Sequence, residues 1–220
     1  MKFSKDAEII MISGGRGSGK TTRQIELIAV RDRVIVLDPT GSFTAKGYKH
    51  VRSLQAVYTE VKKGWKNGFK IVLATPSGEG ACIELMQQLS RALFLIQTPY
   101  YQFKDKRKIT LVLDEAHKFF PNRRLTPAEQ EPLEDIIALG RHYGIEMIAA
   151  TQRLAKMWTE YRGNASQSYF FMQGDHSDFG AVLATIGTAH KDALRSLKVH
   201  EYLYKGQGLS VTKGKNAAKF

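Results

Sequence analysis

Eight residues near the amino end carry the clearest chemical signal, Gly14-Gly15-Arg16-Gly17-Ser18-Gly19-Lys20-Thr21. They fit the pattern G-x-x-x-x-G-K-[ST], in which glycines allow positive φ and let backbone N–H groups turn toward phosphate oxygens. Lys20 adds a point charge, and Thr21 offers a hydroxyl to Mg²⁺. The segment therefore predicts a nucleotide site for ATP and Mg²⁺. Its predicted binding residues are Gly14, Gly15, Arg16, Gly17, Ser18, Gly19, Lys20, Thr21 and Thr22.

Two acids supply the second signal. The apolar run Ile109 to Leu113 is followed directly by Asp114 and Glu115. At the carboxyl edge of a sheet, beside a phosphate loop, Asp114 would hold the Mg²⁺ shell. Glu115 would polarise the water that attacks the γ-phosphate, which is catalysis by a general base. His117 is assigned no role, because a lone histidine past a strand end is more often structural.

The elements that must position these groups alternate along the chain. Short β-branched or aromatic runs predict strands, and between them apolar residues recur at helical spacing over 82–96 and 133–140. Pro132 fits the first turn of the second of these helices, with a separate capped turn at Thr126 to Glu129. The predicted strands are 9–12, 34–37, 71–74, 109–113, 145–150 and 169–172, and a hairpin is predicted at 202–212. This order predicts an α/β fold with a mainly parallel central sheet flanked by helices and a C-terminal β-hairpin.

Length and composition restrict the class further. The 220 residues, with 43% hydrophobic and 25% charged, predict one domain over residues 1–212 and a basic C-terminal tail over 213–220. The residues leave the role of the tail open. Cys82 is the only cysteine, which excludes an intrachain disulfide and indicates a reducing, cytoplasmic compartment. The apolar runs are far shorter than the roughly 18 residues of a membrane span, so no membrane insertion is expected.

The charge indicates the class of partner. Lys and Arg number 33 against 21 Asp and Glu, so the net charge is +12 and the isoelectric point is near 9.7. Seven bases stand between Lys46 and Lys70 against the single acid Glu60. Such an excess favours a polyanionic partner, although each cluster alone is also compatible with a solvated surface.

With these motifs placed, the chain resembles the FtsK–HerA superfamily of RecA-like DNA-pumping ATPases. The resemblance rests on the phosphate loop, on the strand end Val36-Leu37-Asp38-Pro39, on Leu113-Asp114-Glu115-Ala116-His117, and on the segment from Arg141 to Arg153. It covers Ile9 to Arg153. It implies the additional-strand, catalytic-glutamate P-loop fold and an ATP-driven DNA translocase. The compact length is most similar to genome-packaging ATPases of viruses with internal membranes.

The resemblance also implies roles for single residues. Gln152, at the end of a strand, is expected to sense the γ-phosphate or the attacking water, since an amide can donate and accept at once. Arg141 is the expected arginine that reaches a neighbouring subunit's nucleotide, and Arg153 is its rival. The predicted catalytic set is therefore Glu115, Lys20, Gln152 and Arg141. A trans arginine implies a homo-oligomeric ring, a pentamer or a hexamer.

Two groups of basic residues could contact double-stranded DNA in such a ring. Lys118, Arg123 and Arg124 closely follow Glu115 in the sequence. A movement of Glu115 would therefore be transmitted to them through only a few residues. The second group places Trp65 among its lysines, where the ring could stack on exposed bases. These lysines are Lys62, Lys63 and Lys66. The packaging interpretation adds capsid or portal vertex proteins as partners and places the chain in the host cytoplasm or at a capsid vertex.

Three other functions are weighed against this one. A nucleotide-switched DNA-binding or phage-assembly ATPase would bind ATP without sustained translocation, and Glu115 argues against it. A small-molecule kinase does not need the base at Glu115 or the Thr151-Gln152 strand end. A GTPase would need an Asn-Lys-x-Asp sequence to recognise guanine, and the chain has none.

Overall fold

The computed structural model describes residues 3–208 and 210–217, and in these residues one sheet of nine strands forms the centre of the molecule. Each predicted strand is present, most of them one or two residues longer than the apolar run. The strands are β1 (Ile9–Ser13), β2 (Arg33–Asp38), β3 (Lys49–Val51), β4 (Phe69–Ala74), β5 (Ile109–Leu113), β6 (Ile145–Thr151), β7 (Gln167–Phe171), β8 (Glu201–Lys205) and β9 (Val211–Lys215).

The order of strands across the sheet is β3-β4-β2-β5-β6-β1-β7-β8-β9. The first seven are parallel, and β8 and β9 form the predicted antiparallel hairpin on the edge of β7. Because parallel strands end at the same edge of a sheet, the residues after β1, β2, β5, β6 and β7 meet there. The predicted α/β fold is confirmed, and both predicted motifs lie at this carboxyl edge.

Both faces of the sheet are buried, which explains why the strands are continuous apolar runs. In β1, Ile9 and Met11 pack into the larger core, while Ile10 and Ile12 pack on the opposite face. Helices cover these faces. They are α1 (Lys20–Ile28), α2 (Leu54–Gly64), α3 (Glu79–Ile96), α4 (Thr98–Tyr101), α5 (Pro127–Leu139), α6 (Thr159–Asn164), α7 (His176–Ile186) and α8 (Lys191–Arg195). Among the described residues no helix is long and apolar enough to cross a membrane.

The prediction of a separate capped turn before Pro132 is wrong, because α5 is one helix that starts at Pro127 with Thr126 as its N-cap. Thr126 and Glu129 form a reciprocal capping box. Pro132 therefore lies inside the helix and cannot donate to the carbonyl of Ala128. The side-chain amide of Gln87 donates to that carbonyl instead, at 2.8 Å, so a contact from α3 replaces the missing helical hydrogen bond.

Two further differences concern the ends of the sheet. Strand β3 was not predicted, because it has three residues and only Val51 is buried. At the other edge, β9 continues to Lys215 and therefore includes the first residues assigned to the basic tail. Residues 218–220 of that tail lie outside the described residues.

Candidate active site

The predicted phosphate loop connects the end of β1 to the start of α1, as its pattern requires. Gly17 and Gly19 have φ of +71° and +111°, where a side chain would be strained. The loop is also tied to both neighbouring strands. Gly14 N–H donates to Thr151 O at 3.2 Å, and Gly15 N–H donates to Met172 O at 2.7 Å. Strands β6 and β7 thus hold the start of the loop in place.

Lys20 occupies the first position of α1 and is only 8% exposed. Its ammonium donates to Gly15 O at 2.9 Å, which places the charge inside the loop. Burial lowers the pKa of Lys20, while the negative charges of Glu115 and Asp114 act in the opposite direction. A phosphate would offer this buried cation a charged acceptor, which forms a stronger bond than a carbonyl.

Asp114 lies directly after β5 and is buried. Its Oδ2 accepts from the hydroxyls of Thr40 and Ser42 at 3.1 and 3.3 Å. Burial raises the pKa of Asp114, and the neighbouring charges of Glu115 and Asp38 raise it further. The loop after β2 thus belongs to the site, and Thr40 and Ser42 were missed because serines and threonines after a strand carry no distinctive pattern.

The oxygen atoms at this position suit Mg²⁺. The Asp114 carboxylate and the Thr21 hydroxyl are hard oxygen donors, and the ion usually completes its shell with water and phosphate oxygens. Within the described part of the chain, no group of three or more His, Cys, Asp or Glu could hold a metal ion alone. The hydroxyl of Thr21 and the carboxylate of Asp114 fit a Mg²⁺ ion that binds together with the phosphates of a nucleotide.

Glu115 adopts a left-handed backbone conformation, with φ of +52°, which is rare for a residue with a side chain. Its carboxylate accepts a hydrogen bond from the side-chain amide of Gln152, and the Gln152 backbone N lies 3.4 Å from Oε2. Burial raises the pKa of Glu115, but hydrogen bonds from His117 and Gln152 outweigh this effect and hold the pKa below its usual value. The site thus favours the ionised form of a buried carboxylate.

His117 is the main site residue that the sequence did not reveal. Its Nδ1 lies 3.3 Å from Glu115 Oε2 and 3.0 Å from Thr151 Oγ1. The short helical turn Ala116–Lys118 brings it there. The only sequence signal was its position two residues after Glu115, which is ambiguous without the turn.

The two arginines considered for a trans role lie at opposite ends of β6. Arg141 is exposed and precedes the strand, whereas Gln152 follows it. Seven residues at about 3.3 Å each put these ends roughly 20 Å apart, so Arg141 cannot reach its own chain's site. Arg153 lies near the site but pairs with Asp178, at 3.2 Å. Of these two arginines, Arg141 forms no ion pair with the described residues, and its Nε lies 3.4 Å from Nε2 of the neighbouring His142.

The predicted DNA-contacting residues also divide between the two edges. Lys118, Arg123 and Arg124 lie just beyond Asp114 and Glu115, at the carboxyl edge. Arg123 is bound to two carboxylates of its own chain, Glu79 at 2.8 Å and Glu129 at 3.1 Å. Arg124 is exposed and Lys118 is half-buried, so these two offer more available charge.

The second group of lysines, Lys62, Lys63 and Lys66, lies at the opposite edge, where α2 leads into β4. They rim a groove of about 800 Å³ between α2 and α3, whose other lining residues include Tyr58, Trp65 and Leu95. Trp65 packs against the larger core, and its indole N–H donates to Asp105 at 3.0 Å. This tryptophan is therefore part of a groove wall, not a free ring between lysines.

Comparison of the sequence with protein families matches residues 8–176 to the family described as Zonular occludens toxin (Zot), which is more than two thirds of the chain. No curated protein sequence matches the chain. The matched segment contains β1 to β7 and the phosphate loop, Asp114, Glu115 and Gln152.

Solved structures of low sequence identity share the fold. The B204 genome-packaging NTPase of Sulfolobus turreted icosahedral virus 2, in complex with ATPγS, is 17% identical with a TM-score of 0.72, over 98% of this chain and 100% of the other. VirB4 of Thermoanaerobacter pseudethanolicus is 14% identical with a TM-score of 0.62, over 100% and 92%. The pCW3 conjugation coupling protein TcpA is 15% identical with a TM-score of 0.60, over 96% and 60%. The predicted RecA-like fold and the predicted resemblance are confirmed.

Proposed function

We propose that the chain, which belongs to the Zonular occludens toxin (Zot) family and is a P-loop ATPase, uses ATP hydrolysis to move double-stranded DNA. The observation that carries the proposal is the cluster of Lys20, Asp114, Glu115 and Gln152 at one sheet edge, in a chain of net charge +12. The fold shared along its whole length with a viral genome-packaging NTPase supports a packaging motor that pumps DNA into a capsid.

ATP would bind with its terminal phosphates on the loop from Gly14 to Thr22, where Lys20 and the backbone amides face them. Mg²⁺, held by Thr21 and Asp114, would neutralise phosphate charge. Glu115 takes a proton from water as the water oxygen attacks the γ-phosphorus, and the bond to the bridging oxygen of ADP breaks. The side-chain amide of Gln152 donates a hydrogen bond to the Glu115 carboxylate. It can donate to the γ-phosphate instead, which links catalysis to the state of the nucleotide.

The position of Arg141 supports assembly of the chain into a ring. Because this arginine lies at the edge opposite its own site, a ring of five or six subunits would bring it to the next subunit's nucleotide, where a guanidinium stabilises transition-state charge. The ring would enclose DNA and contact its phosphates without reading sequence. In a virus-infected cell this motor would work in the host cytoplasm at a capsid or portal vertex.

A second candidate function is an ATP-switched DNA-binding or phage-assembly protein that does not translocate. The observation in its favour is that the Glu115 carboxylate is bound by both Gln152 and His117. A base held in this way is consistent with slow hydrolysis until a partner rearranges the site.

The deciding experiment measures steady-state ATP hydrolysis with and without linear double-stranded DNA, at about 50 and 200 mM salt. We expect DNA to stimulate turnover, and Glu115→Gln to lower it at least about 100-fold while ATPγS still binds. Displacement of a triplex-forming strand from the duplex then shows whether the protein moves along DNA, as distinct from only hydrolysing ATP faster when DNA is present. Equal, low hydrolysis by wild type and Glu115→Gln, with intact ATPγS binding, would favour the switch.

The DNA-contacting edge can be tested with two triple variants of equal charge change. Replacing Lys118, Arg123 and Arg124 by Glu should weaken DNA binding and reduce its salt dependence, because phosphate contacts are lost. Replacing Lys62, Lys63 and Lys66 by Glu is the matched control at the opposite edge. Salt-sensitive DNA binding that survives the first set and not the second would contradict this assignment.

A further inference from the structure

The C-terminal hairpin meets the phosphate loop at two successive carbonyl groups. The backbone N–H of His200, the residue before β8, donates to Ser18 O at 2.9 Å. The side-chain amide of Asn216, the residue after β9, donates to Gly19 O at 2.8 Å. A further bond joins the two hairpin residues, since Asn216 N–H donates to His200 O at 2.9 Å. The base of the hairpin is therefore one unit attached to the loop.

These two bonds determine where the loop's N–H groups point. In a trans peptide the C=O and the N–H point in opposite directions. Holding the Ser18 and Gly19 carbonyls toward the hairpin therefore turns the N–H groups of Gly19 and Lys20 away from it. Those N–H groups belong to the part of the motif that cradles phosphate at the start of α1.

The contact leaves no space between hairpin and loop. A Cβ on Gly19 would lie 2.7 Å from His200 Nδ1 and 2.8 Å from Asn216 Nδ2. Asn216 is 7% exposed, and its Oδ1 is buried without a hydrogen-bond partner among the described residues. A buried amide with an unpaired oxygen is costly, so its placement indicates a specific task. Both hairpin residues lie beyond residues 8–176, which the family comparison matched.

We propose that Asn216 is a positioning residue for nucleotide binding, and that the C-terminal hairpin is a structural part of the ATP site. Asn216 acts through the Gly19 carbonyl and aligns the loop amides before the nucleotide binds, which reduces the ordering that binding requires. The proposal rests on the assignment of the Gly14 to Thr22 loop as the ATP site. It does not require DNA movement.

The test is the affinity for ATPγS, measured by calorimetry on the full chain. Asn216→Ala removes the donor, and Asn216→Asp keeps the size but places an acceptor against the Gly19 carbonyl. We expect Asn216→Ala to weaken ATPγS roughly three- to tenfold, as loss of one hydrogen bond implies, and Asn216→Asp to weaken it more. AMP affinity should change less than ATPγS affinity, because the loop amides serve the β- and γ-phosphates.

Lys213→Ala is the matched control on the same hairpin. It breaks the ion pair of Lys213 with Glu201, at 2.8 Å, without touching the loop, and should leave the affinity unchanged. Wild-type affinity in both Asn216 variants would overturn the proposal, as would equal weakening of ATPγS and AMP. A wild-type chain that binds ATPγS but does not move DNA refutes the proposed function and leaves this inference intact.

Discussion

Gly144 should be a sensitive position at the amino edge of the sheet, although it lies far from the nucleotide loop. It has φ of +69°, and a Cβ there would lie 2.7 Å from two ring carbons of Tyr100. Its carbonyl accepts from Ile109 N–H at 3.0 Å and from the Gln97 amide at 3.1 Å, so the backbone cannot shift freely. Gly144→Ala therefore meets both backbone strain and a steric clash.

The expected loss of stability follows from these two terms. A left-handed conformation costs an alanine about 1–2 kcal/mol, and overpacking against a buried ring costs about 1–3 kcal/mol. Gly144→Ala should thus lower the free energy of unfolding by about 2–5 kcal/mol. For a chain of this size each kcal/mol lowers the melting temperature by roughly 2–4 °C.

Urea denaturation measures this loss, with Gly180→Ala as the matched control. Gly180 lies within α7, and a Cβ there would meet nothing within 4 Å, so alanine should stabilise the protein by roughly 0.5–1 kcal/mol. The double variant Gly144→Ala with Tyr100→Leu should lose less than the sum of its single variants, because the smaller side chain removes the clash. A loss below about 1 kcal/mol for Gly144→Ala, or additive losses in the double variant, would refute the reasoning.

Two further predictions concern the active site and α5. His117→Ala removes a hydrogen bond that holds the pKa of Glu115 low, so that pKa should rise. Because hydrolysis needs the ionised carboxylate, activity should then be lost at a higher pH on acidification, and an unmoved acid limb in the pH–rate profile would count against this role. Thr126→Ala removes the N-cap of α5 and should lower the free energy of unfolding by about 1 kcal/mol, whereas Thr126→Ser should keep most of it. Thermal melts of both variants decide this point, and equal melting temperatures would contradict it.

The sequence was sufficient for the parts of the fold that depend on local pattern. Strand β5 has the predicted bounds, and the loop before Lys20 occupies the predicted position, because burial on both faces and glycine spacing are visible in consecutive residues. Pro132 misled the assignment of α5, since the compensating donor, Gln87, is distant in sequence.

Contacts between distant segments could not be predicted in the same way. The hydroxyls of Thr40 and Ser42 reach Asp114 only because β2 and β5 are neighbours in the sheet. Asn216 reaches Gly19 only because the hairpin folds back beside β7. None of these three positions carries a residue type that distinguishes it from an ordinary polar surface residue. The catalytic roles of Glu115, Gln152 and Arg141 stay predictions.

The two outer strands of the sheet determine how copies of this chain can associate. β3 is only three residues long with exposed Lys49 and His50, and β9 carries exposed Lys213 and Lys215. Short, lysine-bearing edges resist pairing with a strand of another molecule, which protects a wide sheet from aggregation. In the proposed ring, copies are therefore expected to join through helices and strand-end loops, and those loops carry the nucleotide residues at one end of the strands and Arg141 at the other.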